Sequence, residues 1–241
     1  MRFVLLSDTH GRHARLPPVP EGDVLVHAGD LTVRGTFAEA ADALRWLDAL
    51  PHRHKLLVAG NHDFLFERDP DVSAGLVRAL APGVTYLRDA GATVEGAGGR
   101  RLRVWGSPWQ PWFHGWAFNL PRGAALAAVW ARVPDDTEVL VTHTPPFGVL
   151  DRVLGPSGST PRGGSGGRRA GPDGSPHVGG SHVGCEDLAR RVGGLPALQL
   201  HAFGHVHEAY GVADLDGVRY VNASVCTAAY APTNPPVAVD L

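Results

Sequence analysis

Phe3-Val4-Leu5-Leu6-Ser7-Asp8-Thr9-His10 is the stretch on which the reading of the whole chain turns. Apolar residues in unbroken succession, rather than alternating with polar ones, point to a strand buried on both faces of its sheet. The run stops at once in Ser-Asp-Thr-His, so polar side chains stand where the strand ends. The same grammar repeats along the chain. Residues 24–27 run into Gly29-Asp30, and residues 56–59 into Gly60-Asn61-His62-Asp63. Later, residues 139–142 run into His143-Thr144, and residues 198–203 into Gly204-His205-Val206-His207.

Between these runs the period changes. Residues 37–50 carry Phe37, Ala40, Ala41, Leu44 and Leu47 at helical spacing, so a helix separates the second and third strands. Residues 84–87, 93–94 and 102–105 read as a second group of strands. A helix is expected after Pro121, running to about residue 132, because proline suits a first helical turn. Asp216-Gly217, between residues 210–213 and 218–221, is a hairpin signal. Strands alternating with helices define an α/β (α+β) fold whose strands are covered on both faces. Residues 1–241 are expected to form one domain, a length that supports a full-sized core. Residues 155–184 break the pattern with Gly, Ser, Pro and Arg, centred on Gly163-Gly164-Ser165-Gly166-Gly167. They are expected to be a Gly-rich mobile loop within that domain.

A formal net charge of -2 offers no basic surface to a nucleic-acid backbone or an anionic membrane. No apolar run approaches the length of a membrane span, and the apolar start is too short for a signal peptide. A cytoplasmic location is therefore expected. Cys185 and Cys226 lie far apart without metal-type spacing and are expected to be reduced thiols. Histidine is the unusual component: there are 13, and His10, His62, His143, His205 and His207 all fall in the motifs that follow strands.

Those motifs supply carboxylate, carboxamide and imidazole groups at the carboxyl ends of strands, where the crevice of an open α/β sheet collects its ligands. Asp8 and His10 are two residues apart, as are His205 and His207, and alternate residues of an extended chain share a face. Gly29, Gly60 and Gly204 are expected to permit the sharp turns that leave a strand. Imidazole, carboxylate and carboxamide without thiolate suit Mn, Fe or Zn in a reactive site rather than a structural zinc. The seven candidate ligands exceed what one tetrahedral ion needs and suit two ions that share a carboxylate. Asp8, His10, Asp30 and His207 are assigned to one ion. Asp30, Asn61, His143 and His205 are assigned to the other, with Asp30 as the bridge. Any one motif alone is more often a turn or a packed histidine; the ordered set carries the reading.

Taken in this order, the motifs resemble those of the calcineurin-like metallophosphoesterases over nearly the whole chain. The resemblance implies a four-layer αββα sandwich, two mixed β-sheets flanked by helices, with a dinuclear metal site at one edge. It also implies an enzyme that hydrolyses phosphate esters. Gly106-Ser107-Pro108-Trp109-Gln110-Pro111-Trp112-Phe113 and Thr142-His143-Thr144-Pro145-Pro146 are similar to the metallophosphoesterase-domain-containing subgroup, itself similar to the class III cyclic-nucleotide phosphodiesterases. That likeness implies a phosphodiesterase acting on cyclic or other small nucleotides. The alternatives are a phosphomonoesterase or protein phosphatase on the same centre, and a non-catalytic interaction scaffold. The scaffold reading is disfavoured because His205 and His207 are both present.

In the mechanism expected of such a centre, two cations lower the pKa of a shared water toward neutrality, and the resulting hydroxide attacks phosphorus in line. His62 is assigned to the leaving oxygen as a proton donor or charge stabiliser. Asp63 is assigned to fixing its tautomer or raising its pKa. Trp105, Trp109, Trp112 and Trp116 form an aromatic cluster, at least half of which reads as loop packing. Trp112 and Phe113 are the pocket candidates, because Pro111 and Gly115 mark an exposed turn. Arg34 is similar in position to the phosphate-contacting arginine of protein phosphatases, but Val33 replaces the acidic residue of that pattern. A solvated surface arginine is its plainer reading. Asn61 and His62 are counted as substrate contacts as well. His27 and His201, inside apolar runs, read as packed histidines, and Asn222 and Ser224 as turn residues.

Overall fold

The structure is a computed structural model that describes residues 1–153, 169–170, 176–177 and 180–241. The first apolar runs become β1 (Arg2–Leu6), β2 (Val24–Ala28), β3 (His54–Val58) and β4 (Val84–Tyr86), all parallel. Next come β5 (Ala90–Glu95), β6 (Arg101–Ser107) and the two-residue strands β7 (Gln110–Pro111) and β8 (Asn119–Leu120). They are followed by β9 (Val139–Thr142), the short pair β10 (Arg169–Ala170) and β11 (Pro176–His177), and β12 (Leu200–Phe203). The chain closes with the hairpin of β13 (Gly211–Leu215) and β14 (Val218–Asn222), then β15 (Val237–Asp240).

Two mixed sheets result, one in the order β15-β1-β2-β3-β4 and the other β13-β14-β12-β9-β6-β5. Their interiors are parallel, while β15, β13 and β5 sit antiparallel at edges. Successive residues of a strand leave opposite faces, which explains the layers. On β1, Phe3 and Leu5 turn to one core, and Val4 and Leu6 to another. Phe3, Leu5 and Val26 meet Val139, Val141 and Leu200, so the first core lies between the sheets. Val4, Leu6 and Leu57 pack instead on Leu44 and Leu47 of α1 (Phe37–Ala49) and, past the short α2 (Phe64–Arg68), on Leu76 and Val77 of α3 (Pro70–Leu80). On the far side, Leu140 and Phe203 pack on Trp130 of α4 (Ala124–Trp130) and Leu188 of α5 (Glu186–Val192). The layers are helix, sheet, sheet, helix, as the resemblance implies.

Local signals agree with these elements. Thr36 accepts a hydrogen bond from the Glu39 N–H while the Glu39 carboxylate accepts one from the Thr36 N–H, a capping box that starts α1. Asp216 and Gly217 both take positive φ, 51° and 80°, as a tight hairpin turn requires. Of the segment 155–184 expected to be mobile, residues 155–168, 171–175 and 178–179 lie outside the described residues. Its far end is tied back, since the Gly180 N–H donates to the Val153 carbonyl at 2.7 Å. Among the described residues, no helix is long and apolar enough to cross a membrane.

One buried group in this frame makes stability depend on pH. His201 on β12 is fully buried, with Nε2 2.9 Å from the Thr142 hydroxyl, which itself donates to the Thr144 carbonyl. Nε2–H is therefore the donor, and Nδ1 has no partner among the described residues. Burial pulls the His201 pKa from 6.5 to about 3. A folded-state pKa below the unfolded value gives stability that is complete above pH 6.5 and lost as pH falls toward about 3. His201→Gln keeps an N–H donor and removes the titration. Relative to the variant, the wild type should lose about 1.4 kcal/mol per pH unit within that window. Urea unfolding of both proteins at several pH values measures this, and parallel slopes would count against a buried neutral His201.

Candidate metal centre

The strand-end motifs converge at the carboxyl ends of β1, β2, β3, β9 and β12. His10 Nε2 lies 3.1 Å from His207 Nε2, and His207 Nε2 lies 3.3 Å from Asp8 Oδ1. On the opposite side, His143 Nε2 is 2.9 Å from Asn61 Oδ1, and His205 Nδ1 is 2.7 Å from the same oxygen. Asp30 stands between the two groups. Its Oδ2 faces His10 Nε2 at 3.8 Å and its Oδ1 faces His143 Nε2 at 3.5 Å. The structure thus brings all the sequence-derived ligands into one cluster and puts Asp30 at its middle.

The backbone is bent to achieve this. Asp8, His10, Asp30 and His205 take positive φ, 57°, 43°, 57° and 69°, a conformation costly for residues with a Cβ and characteristic of functional sites. The motif glycines serve a different end from the turns expected of them. Only Gly29 has positive φ; Gly60 and Gly204 supply space, because a Cβ there would collide with the carboxylates of Asp30 and Asp8 respectively.

Histidine orientation is set by main-chain carbonyls. Nδ1 of His10, His62, His143 and His207 lies 3.2, 2.7, 2.9 and 3.0 Å from the carbonyls of Thr32, Val33, Ala28 and Thr227. An imidazole that donates Nδ1–H to a carbonyl presents its Nε2 lone pair to the opposite side, the arrangement found in metal-binding histidines. The Nε2 atoms of His10 and His207 therefore face each other across 3.1 Å, as two donors to one cation would. Asp8 and Asp30 are 0% and 2% exposed. Neither pairs with Lys or Arg among the described residues; their ionic neighbours are all histidines. Buried carboxylates without a fixed cation are costly, so the donor set fits divalent metal ions. Asp8, His10 and His207 form one group with ligand atoms within 4.8 Å of one another; Asp8, Asp30 and His143 form another, and His10, Asp30 and His62 a third.

Electrostatics point the same way. Burial alone would raise Asp8 and Asp30, yet the surrounding imidazoles hold both carboxyls well below the usual range. Burial lowers His10 to about 4 and His205 to about 3. His143 resists the same burial and is pushed up to about 9, chiefly by Asp30. The centre attracts positive charge.

Several expectations need correction. Asp63 does not steady the His62 ring, whose Nδ1 is taken by Val33. It is fully buried and accepts hydrogen bonds from the N–H groups of Leu31, Thr32 and Gly60 and from the Thr32 hydroxyl, at 3.2, 3.0, 2.8 and 2.7 Å. It ties the loop bearing Asp30 to the loop bearing Asn61. Burial, then the Asp30 charge, raises its pKa to about 6. Ser224 and Asn222 are more than turn residues. The Ser224 hydroxyl donates to Asp8 Oδ2 at 2.7 Å, and the Asn222 amide donates to the Val206 carbonyl at 2.9 Å. The sequence carries little signal for them, because Asn222-Ala223-Ser224 follows Val218-Arg219-Tyr220-Val221, an interrupted stretch rather than an unbroken apolar run.

Among the aromatic candidates, Phe113 has its ring 6.1 Å from His205, whereas Trp112 is 51% exposed. Trp116 is nearer, 4.1 Å from the His62 ring. Trp105 and Trp109 pack against the core, in keeping with their plainer reading. Arg34 is exposed, and its N–H donates to Glu39. His27 is buried with Nε2 3.0 Å from the Thr9 hydroxyl. Cys185 caps α5 through Sγ, accepting from the Leu188 N–H. Both cysteines are free.

The profile of the calcineurin-like phosphoesterases matches residues 1–209, and the chain belongs to that family. It is a metal-dependent hydrolase of phosphate esters. Over its whole length it is 39% identical to the human Metallophosphoesterase domain-containing protein 1, covering 71% of that protein. It is 35% identical to the Caenorhabditis elegans UPF0046 protein K07C11.7, with 94% of this chain and 70% of the relative aligned. The crystal structure of TT1561 from Thermus thermophilus shares the fold, with a TM-score of 0.57 at 14% identity over 92% of this chain and 88% of the other.

Proposed function

We propose that the protein is a two-metal phosphodiesterase acting on cyclic or other small nucleotides. The observation that carries the two-metal part is Asp30, whose two oxygens address two different imidazoles, His10 and His143. Asp8, His10, Asp30 and His207 hold one ion in this reading, and Asp30, Asn61, His143 and His205 the other. Mn, Fe and Zn all suit these donors. A bound pair of such cations supplies Lewis acidity and a water of lowered pKa.

The chain's own residues do the rest. Carbonyls of Thr32, Ala28 and Thr227 fix the ligand tautomers, and Ser224 fixes one oxygen of Asp8. Asp63 holds the Asp30 and Asn61 loops in register through their N–H groups. His62 commits Nδ1–H to Val33, so Nε2, 4.0 Å from Asp30 Oδ2, is the atom that faces the leaving oxygen, and in the imidazolium form it gives that oxygen a proton or hydrogen bond. Trp116 and Phe113 border the centre as flat apolar surfaces on which a nucleobase can stack.

A substrate panel with Mn-loaded protein tests the specificity. It compares 2′,3′- and 3′,5′-cyclic nucleotides, bis(p-nitrophenyl) phosphate and p-nitrophenyl phosphate. The diesters should exceed the monoester in kcat/KM by at least about tenfold. A preference for the monoester would overturn the diesterase reading, and no turnover of any ester would favour a scaffold.

A further inference from the structure

The loop after β14 contributes a residue that none of the strand-end motifs contains. Tyr230 sets its ring centroid 4.8 Å from His10, 5.1 Å from His207 and 6.4 Å from His62, edge-on to each. Its φ is 57°, a left-handed conformation that a bulky side chain adopts only under constraint. The constraint is a turn in which the Tyr230 N–H donates to the Thr227 carbonyl at 2.7 Å and the Thr227 N–H donates to the Ala231 carbonyl at 2.9 Å. That same Thr227 carbonyl accepts from His207 Nδ1. One turn therefore fixes both the Tyr230 ring and the tautomer of a candidate ligand.

Packing alone does not account for Tyr230. The side chain is 38% exposed, so it gains less from burial than the core aromatics do. Among the described residues no group hydrogen-bonds its hydroxyl, whereas the Tyr210 hydroxyl is engaged by the Pro235 carbonyl at 2.8 Å. Backbone strain of this kind clusters where a side chain must be aimed at a ligand, and Asp8, His10 and Asp30 beside it share it.

We infer that Tyr230 is a substrate contact, its hydroxyl donating a hydrogen bond to a phosphoryl oxygen of the ester held at the centre. The inference rests on the phosphoesterase reading above. It assigns the phenol to an oxygen that carries negative charge, where a hydrogen bond is strongest.

Tyr230→Phe tests it, because the ring and its packing against the histidines are retained and only the hydroxyl is lost. In Mn-loaded protein, metal content should stay unchanged. The KM for bis(p-nitrophenyl) phosphate and the Kd for inorganic phosphate, read by calorimetry, should each rise about tenfold. Equal KM and equal phosphate affinity in the two proteins would overturn the contact while leaving the phosphoesterase reading intact. Loss of metal from the variant would overturn it too, in favour of a purely structural tyrosine. Should the wild type turn over no ester, the phosphoesterase reading fails first, and the phosphate titration still decides whether the hydroxyl binds the anion.

Discussion

Asp30→Asn is expected to cut bound metal from two ions per chain to one or fewer and turnover by at least about a thousandfold. The reason is geometric. Asp30 is the residue whose separate oxygens face His10 and His143, so replacing either oxygen by an amide removes an anionic donor and turns two N–H bonds toward a cation. The side chain also accepts the His62 N–H at 2.8 Å, which an amide oxygen can still do, so the loop should keep its shape. Asn61→Ala is the control. It removes the oxygen shared by His143 and His205 and should weaken mainly one ion. Metal analysis of the purified variants reads both outcomes. Two ions and full turnover in Asp30→Asn would remove the shared-carboxylate assignment.

His62→Ala should lower turnover by roughly a hundredfold to ten-thousandfold while leaving metal content nearly intact. His62 is anchored by Val33 and presents Nε2 toward Asp30, close enough to belong to a ligand-distance group with His10 and Asp30. Its two possible roles separate by leaving group. A proton donor matters most when the departing oxygen is strongly basic, so the loss should be larger for a nucleotide ester than for a nitrophenyl ester. An equal loss on both, accompanied by loss of an ion, would make His62 a ligand instead.

The sequence announced the centre because its ligands follow buried strands, and buried strands of a two-sided sheet are unbroken apolar runs. Asp8, Asp30, Asn61, His143 and His205 each stand a few residues beyond such a run, so proximity in space was legible as position in the chain. What escaped has long-range causes. Asp63 sits next to His62 in sequence, yet its partners are Leu31, Thr32 and Gly60, and chain adjacency pointed to the wrong one. Ser224 and Tyr230 reach the centre from a terminal loop whose composition reads as a turn. Among the elements, α3 carries Ser73 and Gly75 where an apolar stripe would be clearer. β15 turns only Val239 fully into the core, too little for a strand signal.

The central claim, two ions working together around Asp30, is tested most directly by adding Mn in steps to metal-free protein while following bound metal and diester hydrolysis together. Two ions per chain should bind, with hydrolysis rising mainly as the second site fills. Saturation at a single ion, or full hydrolysis before a second ion binds, would contradict the account.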